Sequence, residues 1–132
     1  MRKLTTLLLL SSLFVSSLAF AYAGLAGKYT GTWTGAQSSG AIKVALTQGE
    51  KGAWSADVSF TLGDQDVKCK VSALSVEGAK IHVVYTFDLL GQNLESTIDG
   101  ERSGAKLSGQ YRTRTVADSA PVDQGTWDAS ST

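Results

Sequence analysis

The chain has 132 residues, with twelve basic and twelve acidic side chains, one histidine and one cysteine. The length allows one small domain, the balanced charge excludes the basic footprint of a nucleic-acid binder, and a single cysteine excludes an intrachain disulfide. Any fold must therefore be held by apolar burial.

The first residues read as a secretory signal peptide. Arg2 and Lys3 form a basic start, residues 4–20 are mostly apolar, and Ala19-Phe20-Ala21 or Ala21-Tyr22-Ala23 offers a small-residue cleavage site. The apolar stretch is short for a retained bilayer anchor, and no cysteine lies near the cleavage point for lipid attachment. The expected division is a signal peptide at 1–23 and one domain at 24–132, secreted or periplasmic, with no stable membrane span after cleavage. Loss of Arg2 and Lys3 leaves ten basic against twelve acidic residues, a net charge near −2.

Eight strands follow in order. Tyr29, Gly31 and Trp33 share one face of the first, opposite Thr30, Thr32 and Thr34; Ile42, Val44 and Leu46 form the apolar face of the second. The third has the clearest period of two: Trp54, Ala56, Val58, Phe60 and Leu62 alternate with Ser55, Asp57, Ser59 and Thr61. Val67, Cys69, Val71 and Ala73 make the fourth, and Ile81, Val83, Tyr85 and Phe87 the fifth. Leu94, Ser96 and Ile98 belong to the sixth, Leu107, Gly109 and Tyr111 to the seventh, and Gly125 and Trp127 to the eighth.

The connections Gly63-Asp64, Glu77-Gly78, Gly91-Gln92 and Ser103-Gly104 carry hairpin chemistry. No mature segment sustains a helical period. One apolar and one polar face per strand implies a sheet over a single core. Closing that sheet removes the exposed edges that an open one presents. The expectation is an all-β, eight-stranded, antiparallel up-and-down closed barrel, with a Greek-key β-sandwich as the alternative. The tripeptide Gly-Thr-Trp occurs twice, at 31–33 and 125–127, which would mark the first and last strands meeting.

In such a meander alternate turns lie at opposite ends. One end carries the turns near 48–52, 77–80 and 100–105, and the other those near 37–40, 62–66, 88–92 and 115–121. Trp33, Trp54 and Trp127 are expected to plug the barrel. The other end would be lined by Phe60, Leu62, Val67, Tyr85, Phe87, Leu94 and Tyr111. A barrel of eight strands is just wide enough to be filled by side chains or to hold one small ligand. Small inward residues, among them Gly31, Ala56, Ala73, Ser96 and Gly109, leave both outcomes open.

Catalytic chemistry is sparse. His82 lies on the face opposite Ile81 and Val83, Cys69 shares the apolar face of its strand as a small buried hydrophobe, and the carboxylates are scattered. Asp64 and Asp66 fall short of a calcium ligand set. No metal, cofactor or catalytic residue is expected, and enzyme activity is disfavoured.

With Gly31-Thr32-Trp33 on the opening strand and seven strands to follow, the mature chain resembles a small lipocalin-like barrel of the calycin superfamily. That resemblance implies a ligand-binding interior, with Trp33 packed across the barrel base. Avidin-type barrels are similar in their opening Gly-Thr-Trp and in a segment like Leu107-Ser108-Gly109-Gln110-Tyr111, but their full set of biotin-contacting residues is not found here. The expectation is an exported, non-enzymatic barrel whose partner is a small apolar or amphipathic molecule. The alternative is a filled-core module working through its surface or loops, as an inhibitor or envelope-associated protein. A barrel isomerase without an obvious catalytic dyad is a third reading.

Overall fold

The computed structural model describes residues 24–132, so the expected signal peptide lies outside the described residues. Nine strands carry the fold: β1 Gly27–Gly35, β2 Ser39–Gln48, β3 Trp54–Leu62, β4 Gln65–Lys68, β5 Lys70–Glu77, β6 Lys80–Leu89, β7 Gln92–Ser103, β8 Lys106–Thr115 and β9 Pro121–Ser131. All adjacent pairs are antiparallel, in one curled sheet of order β4-β3-β2-β1-β9-β8-β7-β6-β5. Among the described residues there is no helix, so none is long and apolar enough to cross a membrane.

The all-β meander is as expected; its closure and strand count are not. The sheet is an open half-barrel of nine strands, neither a closed eight-stranded barrel nor a sandwich of two sheets. The expected fourth strand divides at Cys69. Before that residue the chain pairs with β3, Phe60 opposite Val67; after it the chain pairs with β6, Lys70 opposite Thr86. The Cys69 N–H still donates to the Val58 carbonyl at 3.3 Å. The two edges of the sheet are therefore consecutive in sequence, and the four-residue β4 keeps one of them short, which limits pairing with other chains. A bulge between Val71 and Ala73 then shifts the alternation. Leu74 and Val76 take up the half-buried positions and Ala73 is exposed, contrary to its expected inward place.

The first and last strands do meet. Trp33 stands directly opposite Trp127 across β1 and β9. At four hairpins the chain turns in two residues. Gly63, Gly78 and Gly104 take positive φ at the first central position, while Leu90-Gly91 has φ of 52° and 80° at both, the pattern of a type I′ turn. Gly91 adopts this conformation without strain, whereas Leu90 does so against its Cβ.

Antiparallel succession sorts the connections into two ends. The turns at 36–38, 63–64, 90–91 and 116–120 share one end, called the mouth; those at 49–53, 78–79 and 104–105, with the start of β1, share the base. The core runs along the concave face and is densest at the base, where Leu25, Tyr29, Leu46, Ile81, Leu107, Trp127 and Ala129 are all buried. The Tyr29 hydroxyl donates to the Leu25 carbonyl at 2.7 Å. That bond satisfies a buried phenol and ties the segment before β1 over the base.

Candidate functional site

Strand alternation leaves the mouth half of the concave face lined by rings. Five of them form an arc of ring-to-ring contacts. Tyr111 on β8 meets Trp33 on β1 at 6.0 Å between centroids, and Trp33 meets Phe60 on β3 at 6.1 Å. Phe60 then meets Phe87 on β6 at 4.9 Å, and Phe87 lies 6.1 Å from Tyr85. The first three contacts are near-perpendicular, the geometry that sets the positive edge of one ring on the negative face of the next. Leu94 and Ile98 on β7 complete the wall.

These side chains surround a cavity of about 490 Å³ that reaches the mouth past Gln37, Ser38 and Pro121. Its size falls in the usual range for a small-molecule site, roughly 300–1,000 Å³. Of the seven side chains expected at this end, Phe60, Leu62, Tyr85, Phe87, Leu94 and Tyr111 line the cavity. Val67 is buried in the core but is not in the lining.

The three tryptophans expected as a plug are distributed along the molecule. Trp33 is part of the cavity wall, not the base, so it does not occupy the place that the lipocalin resemblance implies. Trp127 is buried toward the base, and Trp54 is half-buried at the base end of β3. The two Gly-Thr-Trp tryptophans obey one local rule in opposite directions. Trp33 leans across its partner Gly40 on β2 and donates from Nε1 to the Thr61 carbonyl on β3 at 3.0 Å. Trp127 leans across its partner Gly109 on β8 and donates from Nε1 to the Asp99 carbonyl on β7 at 3.2 Å. Each indole also needs a bare glycine beneath it. A Cβ on Gly40 would lie 2.7 Å from Trp33 Nε1, and one on Gly100 would lie 2.6 Å from Trp127 Cζ2.

Polar groups enter this apolar space at two levels. Deep in the wall, Ser96 and Thr113 stand opposite each other on β7 and β8, both buried, with their hydroxyls 2.5 Å apart. The Tyr85 phenol is pushed above its ordinary value by burial, then by the nearby Cys69, with Ser96 offsetting part of the effect by hydrogen bonding. Nearer the mouth, the Tyr111 hydroxyl donates to Asp123 Oδ2 at 2.7 Å, and the Ala36 N–H donates to Asp123 Oδ1 at 3.3 Å. Burial first, then this carboxylate, raise the Tyr111 phenol. Both phenols stay protonated at neutral pH, available as neutral donors and acceptors.

No family model, curated protein or solved structure matches the chain. The reading of the site therefore rests on its own chemistry.

Sequence reasoning missed Asp123, Thr113 and Leu25. For Asp123 a signal was present: Asp123, Gly125 and Trp127 alternate, so an inward Trp127 puts Asp123 on the same face. Thr113 follows in the same way from Leu107, Gly109 and Tyr111. Leu25 precedes any strand pattern, and nothing in the sequence marks it as a lid over the base.

Elsewhere the chemistry is thin. His82 is exposed on the convex face, 2.6 Å from Asp99, and Ser75 is its cross-strand partner. The order Ser75, His82, Asp99 imitates a hydrolytic triad, but no hydrogen bond joins Ser75 to His82 among the described residues. A small groove there is lined by Ser75, Glu77, Lys80, His82 and Asp99. The Cys69 thiol is pushed up to about 12 by burial and makes its contact with the Val67 carbonyl at 3.9 Å, which describes an inert thiol. Among the described residues no group of three or more His, Cys, Asp or Glu side chains could hold a metal ion.

Proposed function

We propose that the protein is an exported, non-enzymatic carrier that holds one small apolar or amphipathic molecule in the cavity at the mouth. The single observation carrying this reading is an aromatic-walled cavity of about 490 Å³ reaching solvent at one end of the sheet. Apolar walls of this extent offer a small molecule many dispersion contacts and remove its apolar surface from water. The wall favours an apolar body, through Trp33, Phe60, Phe87 and Leu94, and a polar end, through Ser96, Thr113, Tyr85 and Tyr111. Entry from one end of a curled antiparallel sheet is a lipocalin-like mode of use. The basic and apolar residues at 2–20 with their small-residue cleavage sites support export, to the periplasm or beyond.

Native mass spectrometry of the purified protein and a thermal-shift screen of aliphatic and aromatic small molecules test this reading. A ligand at 100 times its Kd stabilises by about 2.7 kcal/mol, which raises Tm on the order of 10 °C for a domain of this size. Leu89→Trp places an indole at the half-buried edge of the cavity and should abolish the shift while leaving the β-sheet circular dichroism intact. Bare protein in the spectrometer, together with no shift across the screen, would refute the carrier.

A further inference from the structure

We infer that the cavity takes an organic cation, an amphipathic amine whose ammonium sits against the Asp123 carboxylate while its apolar portion lies among the rings; this rests on the carrier reading above. Among the described residues Asp123 is the one charged side chain in the lining. The ion pairs of the described residues are His82–Asp99, Lys106–Asp128 and Arg114–Glu95, and none includes Asp123. A carboxylate offers about four acceptor sites, and here two are used, by the Tyr111 hydroxyl and the Ala36 N–H. The charge is thus held in place by neutral donors and left uncompensated beside a cavity.

The position is also rigid. Asp123 packs directly over Gly35, where a Cβ would collide with its carboxylate and with the Tyr111 hydroxyl. Tyr111 in turn stands edge-on to Trp33. An ammonium placed at the carboxylate gains a charge-assisted hydrogen bond there. The surroundings select in the same direction. Asp64 and Asp118 in the mouth turns, with Asp66 and Asp88 at adjoining strand ends, are exposed, and the Arg114 guanidinium is taken by Glu95. An anionic amphiphile such as a fatty acid would bring a second carboxylate to a site with no cation to receive it, which discriminates against that class.

Titration calorimetry with three probes of equal chain length, decylamine, decanol and decanoate, tests the inference on the full mature protein at pH 7. The expected order is amine tightest, alcohol weaker and decanoate weakest. Asp123→Asn keeps the size but removes the charge, its Oδ1 still accepting from the Ala36 N–H while its Nδ2 donates to the Tyr111 hydroxyl, and it should weaken decylamine about tenfold or more while leaving decanol within about twofold. Tyr111→Phe frees one carboxylate oxygen and should retain the preference for the amine, which separates loss of charge from loss of structure. Decanol binding with no preference for the amine, or a preference for decanoate, overturns the cation inference and leaves the carrier standing. Failure of all three probes to bind overturns the cation inference, and the mass spectrometry and screen above then decide the carrier separately.

Discussion

Replacing each tryptophan of the repeated Gly-Thr-Trp by alanine should give unequal losses, although both rings are counted as buried. Trp127 is 2% exposed and packed on all sides. An aromatic side chain of this kind removes roughly 150–250 Å² from water, about 4–6 kcal/mol at 25 cal/mol per Å² as an upper estimate. Its removal also orphans the Asp99 carbonyl, an acceptor that loses its Nε1 donor. We expect Trp127→Ala to cost about 4–5 kcal/mol, the upper part of the range for such truncations. Trp33 borders the cavity, so part of its surface has no packed neighbour to lose. Its edge contacts with Phe60 and Tyr111 contribute about 0.5–1.5 kcal/mol each, its donor to the Thr61 carbonyl is lost as well, and Trp33→Ala should cost about 3 kcal/mol in total, the lower end of the range for such truncations. Urea unfolding followed by circular dichroism measures both, with unchanged m-values showing that the comparison is between folded states of similar extent. Equal losses, or a larger loss at Trp33, would refute the assignment of Trp33 to a cavity wall and Trp127 to solid core.

Leu90 is 94% exposed at a φ of 52°. Leu90→Asn, which suits a type I′ turn before Gly91, should therefore stabilise the protein by about 1 kcal/mol in the same urea assay. Ser96→Ala alone should cost about 1–3 kcal/mol by stranding the buried Thr113 hydroxyl, whereas Ser96→Ala with Thr113→Val should cost less than the sum of the single changes in a double-mutant cycle. Burial raises the Cys69 thiol from 9.0 to about 12 and moves the Tyr85 and Tyr111 phenols in the same direction. These groups ionise more readily in the unfolded chain. Their contribution is complete below about pH 9 and is lost as pH rises from there toward the folded values. The urea midpoint should fall steadily above pH 9, and the thiol should resist a disulfide reagent at pH 8 until denaturant is added; a flat midpoint to pH 11 would contradict the burial of all three.

The strands were legible because each lies over a core on one face only, and that condition writes itself into the chain as a period of two. Ile42-Val44-Leu46 and Ile81-Val83-Tyr85-Phe87 need no neighbour to be recognised, and the paired tripeptides at 31–33 and 125–127 announced the β1–β9 contact. The division at Cys69 left no such trace. Val67, Cys69 and Val71 keep their alternation while the chain exchanges β3 for β6 as its partner, because alternation reports which face is buried and says nothing about which strand lies alongside. The bulge after Val71 was invisible for the opposite reason: it breaks the period at Ser72-Ala73, two small residues tolerated on either face. The cavity is a difference between the space inside the curl and the side chains that fill it. No single residue encodes that difference, so the rim could be named from parity while the cavity's volume could not.

The geometry of the two tripeptides explains how one motif can serve both halves of this interior. Antiparallel pairing of Trp33 with Trp127 relates their surroundings by an approximate two-fold axis between β1 and β9, and each indole follows the same path over a glycine to a carbonyl two strands away. The axis sends the rings to opposite ends. What each ring meets there is decided by the facing strand. Trp127 arrives over Gly100 beside Ile81, and small and aliphatic neighbours let the base close around it. Trp33 arrives at Phe60 and Tyr111, whose flat rings stand edge-on and hold one another apart. The same sequence device therefore yields core at one end and a walled cavity at the other, and the asymmetry lies in β3, β7 and β8, not in the repeated motif.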